Sequence, residues 1–505
     1  MPTLPTVFTM TGVVEGFYGA PWSWADRIEV LQWCAARGLT DYMYAPKDDP
    51  KHRKQWRDPY DADELAGFRS LVDHAGVRIG VAISPGLAMD ESSAADRAAL
   101  ASKLAPLVDL GIAHVGLFLD DLPPDTERTA AQRGEAHAEL TTWLDDELGD
   151  DVLLSLVPTE YIGTMSSPYL EALARVLPER IPVGWTGASV VNDEITAADA
   201  SARVAALSGR PPLLWDNVPV NDAVMSDRLF MGPLRGRAPE LLDLCCGYLA
   251  NPMVQPRASM LPLASIAAWC AGTDPEQAWH HAAAELGWTT FAEACDGALP
   301  RRLVRELIED AGGPAWAAPA DVLDAWLSDA CSCSAPGLED EAGPWMSQAR
   351  DEAILARRAL ALFRHTRPSF EQRNDSEWRA LAPDPDDVLA RAFGVAAAWP
   401  AVRRAVPCVF GPRLAVRPAL QQTGTGAWTW RPDAIEEDAN ATDNLVRLAL
   451  DGAAKLDPAA SLTVSVDGVE VGSLAAGRGE ELTFTARPGC VVLARHGAAL
   501  TRLRV

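Results

Sequence analysis

Two adjacent carboxylates, Asp120 and Asp121, sit within the stretch His114 to Asp125, HVGLFLDDLPPD. The run VGLFL ahead of them reads as a buried strand, and Leu122-Pro123-Pro124 stops the chain directly afterwards. A strand that delivers two like charges to one point suits acid/base work, because neighbouring carboxylates push each other's ionisation apart. Metal binding is the main functional rival, and a solvated surface pair is the plain alternative. The dipeptide alone says little, since Asp-Asp recurs at 48–49, 145–146, 150–151 and 386–387 of this acidic chain. Position is what singles out 120–121: only this pair follows a five-residue apolar run.

Other residues capable of chemistry gather where further apolar runs end. They are Glu15-Gly16-Phe17-Tyr18-Gly19, Ala45-Pro46-Lys47-Asp48-Asp49, Thr159-Glu160-Tyr161, Trp185-Thr186-Gly187, Trp215-Asp216-Asn217 with Asn221-Asp222 beyond, and Asn251-Pro252. Carboxylates, amides, one lysine and several aromatics around a rim describe a sugar site, with ring faces for the sugar and polar pairs for its hydroxyls. Each also has a plainer reading. Lys47 lies in the mixed-charge run KDDPKHRK, which could be a solvated loop. Trp185 and Trp215 could be packing, Tyr18 and Tyr161 could hydrogen-bond within the rim, and Gly16 and Gly19 could only permit a tight turn. No Gly-x-Ser-x-Gly elbow, Walker loop, dinucleotide fingerprint or His-Glu-x-x-His occurs, which leaves carboxylate acid/base chemistry.

The elements that must position these residues repeat one pattern. Eight short apolar runs, GVVEGFYG, DYMYAP, RIGVAISP, HVGLFLDD, LLSLVPTE, IPVGWTG, PPLLWDN and CCGYLANP, alternate with helical segments. Ser23 with Asp26, and Asp61 with Glu64, are helix-start signals; Gly38 and Gly76 are stops. The faces expected to be buried are Ile28, Leu31, Cys34 and Ala35, then Leu65, Phe68, Val72 and Ala75. Strands apolar on both faces alternating with amphipathic helices predict a parallel sheet, and eight units predict a (β/α)8 TIM-type barrel over about residues 8–275. A doubly wound open sheet is the alternative. Residues 276–410 turn Ala-, Leu- and Arg-rich with helical period and read as a helical bundle domain. Residues 411–505 read as a small β-sandwich-like domain, with a hairpin around Asp467-Gly468.

At 505 residues, two or three domains are expected. A 48% hydrophobic content supplies real cores, and a formal net charge of -26 argues against nucleic acid. No run of eighteen apolar residues predicts a membrane span. Nine cysteines, with Cys245-Cys246 adjacent, match neither a disulfide framework nor a zinc spacing. The start MPTLPTVFTM has no secretory pattern, so a reducing cytoplasm is the expected compartment.

The strings GVVEGFYGAPW, YMYAPKDDPKHRKQWR, FLDD, VPTEY, WTG, WDNVPVND, RLFMGPLRGRAPEL and NP, in this order, resemble glycoside hydrolase family 84, the O-GlcNAcase and β-N-acetylglucosaminidase family. The resemblance covers the barrel and implies a retaining exo-β-N-acetylglucosaminidase with no metal and no cofactor. Retaining glycosidases ordinarily place two carboxylates about 5 Å apart across the sugar, one of them the nucleophile. In this family the carbonyl oxygen of the sugar's own 2-acetamido group attacks instead and forms an oxazoline, so neither aspartate needs to flank the bond. Asp120 is then the anion that accepts the acetamido N–H, and Asp121 the acid that becomes the base. The strand must end or twist for both to reach one pocket, because consecutive strand residues face opposite ways.

By the same resemblance the Gly16 backbone touches the sugar, Lys47 binds hydroxyls, Tyr161 and Asn217 hold the acetamido group or its oxazoline, and Trp215 walls that pocket. Asp222 and Asn251 take the outer hydroxyls, which would select a terminal sugar. The chain departs from relatives at Val157, where some carry Cys, at Ala20, and in MVQPRAS after Asn251-Pro252. Protein-bound O-GlcNAc, a cell-wall fragment or a free oligosaccharide would each supply terminal β-linked N-acetylglucosamine. Alternatives are an endo-acting hyaluronidase-like enzyme, a catalytically silent glycan-binding protein and, more distantly, a metal hydrolase using Asp48, Asp120 and Asp121. The helical region could pair two chains into a homodimer or pack within one.

Overall fold

The computed structural model of the chain describes residues 8, 10–123, 125–309 and 317–366, and eight strands between 419 and 504. The eight apolar runs form eight parallel strands: β1 (Met10–Glu15), β2 (Asp41–Tyr44), β3 (Arg78–Ile83), β4 (His114–Phe118), β5 (Leu153–Val157), β6 (Gly184–Trp185), β7 (Leu213–Asp216) and β8 (Gly247–Ala250). Their order in the sheet is β5-β4-β3-β2-β1-β8-β7-β6. A parallel bridge between Leu156 and Val183 joins the two ends, so the sheet closes on itself as a (β/α)8 barrel. An open doubly wound sheet would have left β5 and β6 as edges.

Helices α1 (Trp24–Ala35), α2 (Ala62–His74), α3 (Ala94–Asp109), α4 (Ala130–Leu148), α5 (Pro168–Val176), α6 (Ala197–Ala206), the single turn α7 (Leu241–Leu244) and α8 (Pro256–Cys270) follow the strands in turn. Ser23 caps α1 by accepting from the Asp26 amide, and Asp61 with Glu64 closes a full capping box on α2. Both faces differ in part from the sequence pattern: in α2 the buried residues are Gly67, Phe68 and Leu71, with Leu65 and Val72 only half-buried. In α1 the buried residues are Arg27, Val30, Leu31 and Cys34, with Ile28 only half-buried. Burial of an arginine has a specific cause: its guanidinium meets Glu15 at the end of β1 at 2.7 and 2.8 Å, inside the wall between barrel and helix.

Alternation decides what points where. Met10, Val14, Met43, Ala45, Ala82, Phe118, Val157, Leu213, Trp215 and Leu249 fill the barrel interior. Their strand neighbours Val13, Tyr42, Val81, Leu117, Leu156, Leu214 and Tyr248 are buried as well, which is why the runs read as continuously apolar.

The chain divides into two compact units. The first holds the barrel together with α9 (Pro275–Leu286), α10 (Thr289–Asp296) and residues 333–346. The second comprises residues 224–228, 297–332 and 347–505. It contains α11 (Ala298–Glu309), α12 (Ala317–Ala330), the later part of α13 (Glu339–Thr366) and the antiparallel strands β9 to β16, between Ala419 and Arg504. Val466 opposes Val469 across the expected hairpin; the two residues between them, and 367–410, lie outside the described residues. Among the described residues no helix is long and apolar enough to cross a membrane.

Candidate active site

The mouth of the barrel is built from the loops that follow the strands, and β4 makes the most unusual delivery. Phe118 points into the barrel, so by alternation Asp120 faces the same way and Asp121 should face away. The chain avoids that outcome by leaving the strand. β4 ends at Phe118, the Leu119 amide still donates to the Val157 carbonyl at 2.8 Å, and Asp121 adopts a left-handed backbone with φ of 52°. That conformation costs about 1 kcal/mol for a residue with a Cβ, and Asp is among the few types that tolerate it. It swings the second carboxylate back to the mouth.

The two carboxylates then meet different surroundings. Asp120 is buried and forms an ion pair through Oδ2 with the Lys47 ammonium, itself buried. Burial pushes the Asp120 carboxyl up, but the Lys47 charge, reinforced by Arg53, outweighs it and holds the group below the ordinary carboxylate range. Its other oxygen, Oδ1, is buried with no hydrogen-bond partner among the described residues. Asp121 is 38% exposed and held by hydroxyls instead. Tyr161 donates to its Oδ1 at 2.8 Å, and Tyr18 to its Oδ2 at 3.3 Å.

The opposite wall is a chain of amides around an indole. Trp215 donates from Nε1 to Asn217 Oδ1 at 2.9 Å, and Asn251 Nδ2 donates to the same oxygen at 2.9 Å. The remaining groups are also engaged: Asn217 Nδ2 donates to the Val190 carbonyl, and Asn251 Oδ1 accepts from the Gly16 amide at 3.1 Å. Gly16 is obligatory here, since a Cβ would run into the Trp215 ring. The ring packs on Phe118, 5.2 Å between centroids, and the Lys47 ammonium lies 5.7 Å from it. Asp222 accepts from the Tyr18 amide at 2.7 Å, and burial raises its carboxyl above the ordinary range.

All nine residues singled out from the sequence thus belong to one connected mouth, with Tyr18 linking Asp222 to Asp121. Several rim residues do not join them. Glu15 is committed to Arg27 and Tyr42, and Asp216 to Arg237 at 2.7 and 2.8 Å and to Tyr248 at 2.6 Å; both lie outside the barrel wall. Asp48 accepts from the Gly19 amide, and Trp185 is fully buried with its Nε1 on the Gly163 carbonyl. Two side chains beneath the mouth were not singled out from the sequence, Arg53 and His52, both inside the charged run after β2. Burial, with Lys47 nearby, pushes the His52 imidazole down to about 3, so it stands there neutral.

Known proteins share this arrangement of chain. Residues 11–297 match the family model described as beta-N-acetylglucosaminidase. The Protein O-GlcNAcases of Rattus norvegicus and Mus musculus are each 35% identical over 275 residues, which is 52% of this chain and 30% of theirs. The chain therefore matches under a third of the length of these curated relatives. Among solved structures, a mutant of the Thermobaculum terrenum O-GlcNAc hydrolase superposes with a TM-score of 0.63 at 28% identity, covering 80% of this chain and 94% of that one. With its barrel, its strand-end loops and more than half its length matched, the chain belongs to the β-N-acetylglucosaminidase family, glycoside hydrolase family 84.

Proposed function

We propose that the chain is a retaining exo-β-N-acetylglucosaminidase that uses the substrate's acetamido group as nucleophile. One observation supports this above others: Asp120 is held as an anion by Lys47 while its Oδ1 stays buried without a partner. A buried acceptor left open costs free energy unless a ligand completes it. An acetamido N–H is a donor of the right kind. In the proposed sequence it donates to Oδ1, and the acetamido carbonyl oxygen is thereby turned onto the anomeric carbon. The bond to the leaving oxygen breaks as the bond to the carbonyl oxygen forms, and Asp121 gives its proton to the leaving oxygen. The Asp120 charge stabilises the resulting oxazolinium. Asp121 then takes a proton from a water that attacks the anomeric carbon from the face the leaving group vacated; the bond from that carbon to the acetamido oxygen breaks, the acetamido group is restored, and configuration is retained.

The indole of Trp215 and the amide of Asn217 support an acetamido pocket that holds the group rigidly, because Trp215 Nε1 is fixed on Asn217 and Asn217 Nδ2 on the Val190 carbonyl. Asp222, anchored on the Tyr18 amide, supports recognition of a terminal sugar's outer hydroxyls. The identity of the rat and mouse relatives as Protein O-GlcNAcases favours protein-bound O-GlcNAc as the source of that sugar. Turnover of an aryl β-N-acetylglucosaminide beside the matching aryl β-glucoside tests the reading. Cleavage of the first alone is expected; cleavage of both would mean that a protein carboxylate attacks.

Lys47→Met should move the acidic limb of the kcat/KM profile to higher pH. Without the ammonium, burial dominates, the Asp120 carboxyl rises, and its anion is lost at a higher pH than before. An acidic limb left in place would contradict the role given to the pair.

A further inference from the structure

We infer that Arg53 is a positioning residue for the acid/base Asp121, acting through the hydroxyl of Tyr18; this rests on the glycosidase reading above. Arg53 is buried beneath the mouth, and its Nη1 donates to Tyr18 Oη at 3.1 Å. A guanidinium offers donors only, so the one proton on the Tyr18 hydroxyl must point elsewhere. Asp121 Oδ2, at 3.3 Å, is the acceptor it meets. The order of donation is fixed: Arg53 to Tyr18, Tyr18 to Asp121. Tyr18 needs such fixing, because it is 42% exposed on a loop with glycine at 16 and 19. Tyr161 holds the other oxygen, so the plane of the Asp121 carboxyl is set from both sides.

The same loop after β2 supplies a cation to each aspartate, and the two arrangements differ in kind. Lys47 pairs directly with Asp120, which has to remain an anion. Arg53 Nη2 stands 4.0 Å from Asp121 Oδ2, with the neutral Tyr18 hydroxyl as the hydrogen-bonded link. A direct bidentate guanidinium pair would lock the carboxylate and oppose its loading with a proton. A relay through a hydroxyl orients the group and leaves it free to cycle. That difference in distance is the structural basis for giving two adjacent aspartates different work.

The test uses full-length Arg53→Met, Arg53→Lys, Tyr18→Phe and the double variant Arg53→Met/Tyr18→Phe, on two aryl β-N-acetylglucosaminides. One carries a 2,4-dinitrophenyl leaving group, which departs without a proton; the other carries 4-methoxyphenyl, which needs one. Arg53→Met should lower kcat/KM on the second by about 30-fold and on the first by about threefold or less, with KM little changed. Tyr18→Phe should show the same split, the double variant should lose no more than either single one, and Arg53→Lys should recover part of the loss. Equal losses on both substrates would mean that Arg53 acts through the Asp120 anion, which it also faces, or through the fold, and would overturn the assignment. Additive losses in the double variant would also overturn it, since the two residues would not act in series. Wild-type protein that cleaves neither substrate would overturn the glycosidase reading and this inference with it.

Discussion

Asp120→Asn is expected to lower kcat/KM by about 10³-fold on aryl β-N-acetylglucosaminides, whatever the quality of their leaving group. The reason lies in which step needs the anion. In the proposed mechanism oxazolinium formation places positive charge over the acetamido nitrogen in every substrate, and the Asp120 carboxylate is the group aimed at it. Asparagine keeps the shape and removes the charge. It also leaves the Lys47 ammonium buried without its counter-ion, a costly arrangement in a site this closed. A leaving-group series measured on the variant checks the claim: the loss should be flat across the series. A loss confined to poor leaving groups would make Asp120 the acid and reverse the two roles.

Asp121→Asn should give the opposite signature. Substrates with poor leaving groups should lose about 10² to 10⁴ in kcat/KM, the usual worth of a positioned proton donor, while strongly activated aryl substrates lose far less. Their leaving oxygen departs as an anion and never asks for the proton. The amide at 121 would still meet Tyr18 and Tyr161, so the pocket keeps its walls and the deficit reports on chemistry. Breakdown of the intermediate should become the slow step for the activated substrates, because the same group acts there as base. Equal losses on both substrate classes would contradict the assignment.

Much of the barrel was legible because its signal is local and repeated. Each of the eight apolar runs became a strand, and the caps at Ser23 and Asp61 formed with the partners that their spacing implied. The mouth was legible for a related reason. A parallel barrel places its strand ends on one face, so residues scattered from Gly16 to Asn251 could be expected together. What escaped depends on contacts far apart in sequence or on a single backbone angle. Glu15 and Asp216 look like rim carboxylates in the sequence, yet alternation turns them outward to Arg27 and Arg237. Arg53 sits in a run of charges that reads as solvated, and only the fold shows it beneath Tyr18. That the strand must end or twist at Asp121 could be read from the adjacent carboxylates; the left-handed angle that meets this need could not, although it decides whether the second carboxylate reaches the site at all. Roles are a further step removed. Tyr161 was expected beside the acetamido group, and its hydroxyl donates to Asp121, the proposed acid/base.

In the proposed mechanism the nucleophile belongs to the substrate. This is tested most directly by kcat/KM on one aryl glycoside bearing N-acetyl, N-fluoroacetyl, N-difluoroacetyl and N-trifluoroacetyl groups in turn. Fluorine withdraws electrons from the carbonyl oxygen and makes it a poorer nucleophile, so the rate should fall steeply and monotonically along the series. A flat response would contradict the account: the attacking oxygen would then come from the protein or from water, and the pairing of Asp120 with Lys47 would need another explanation.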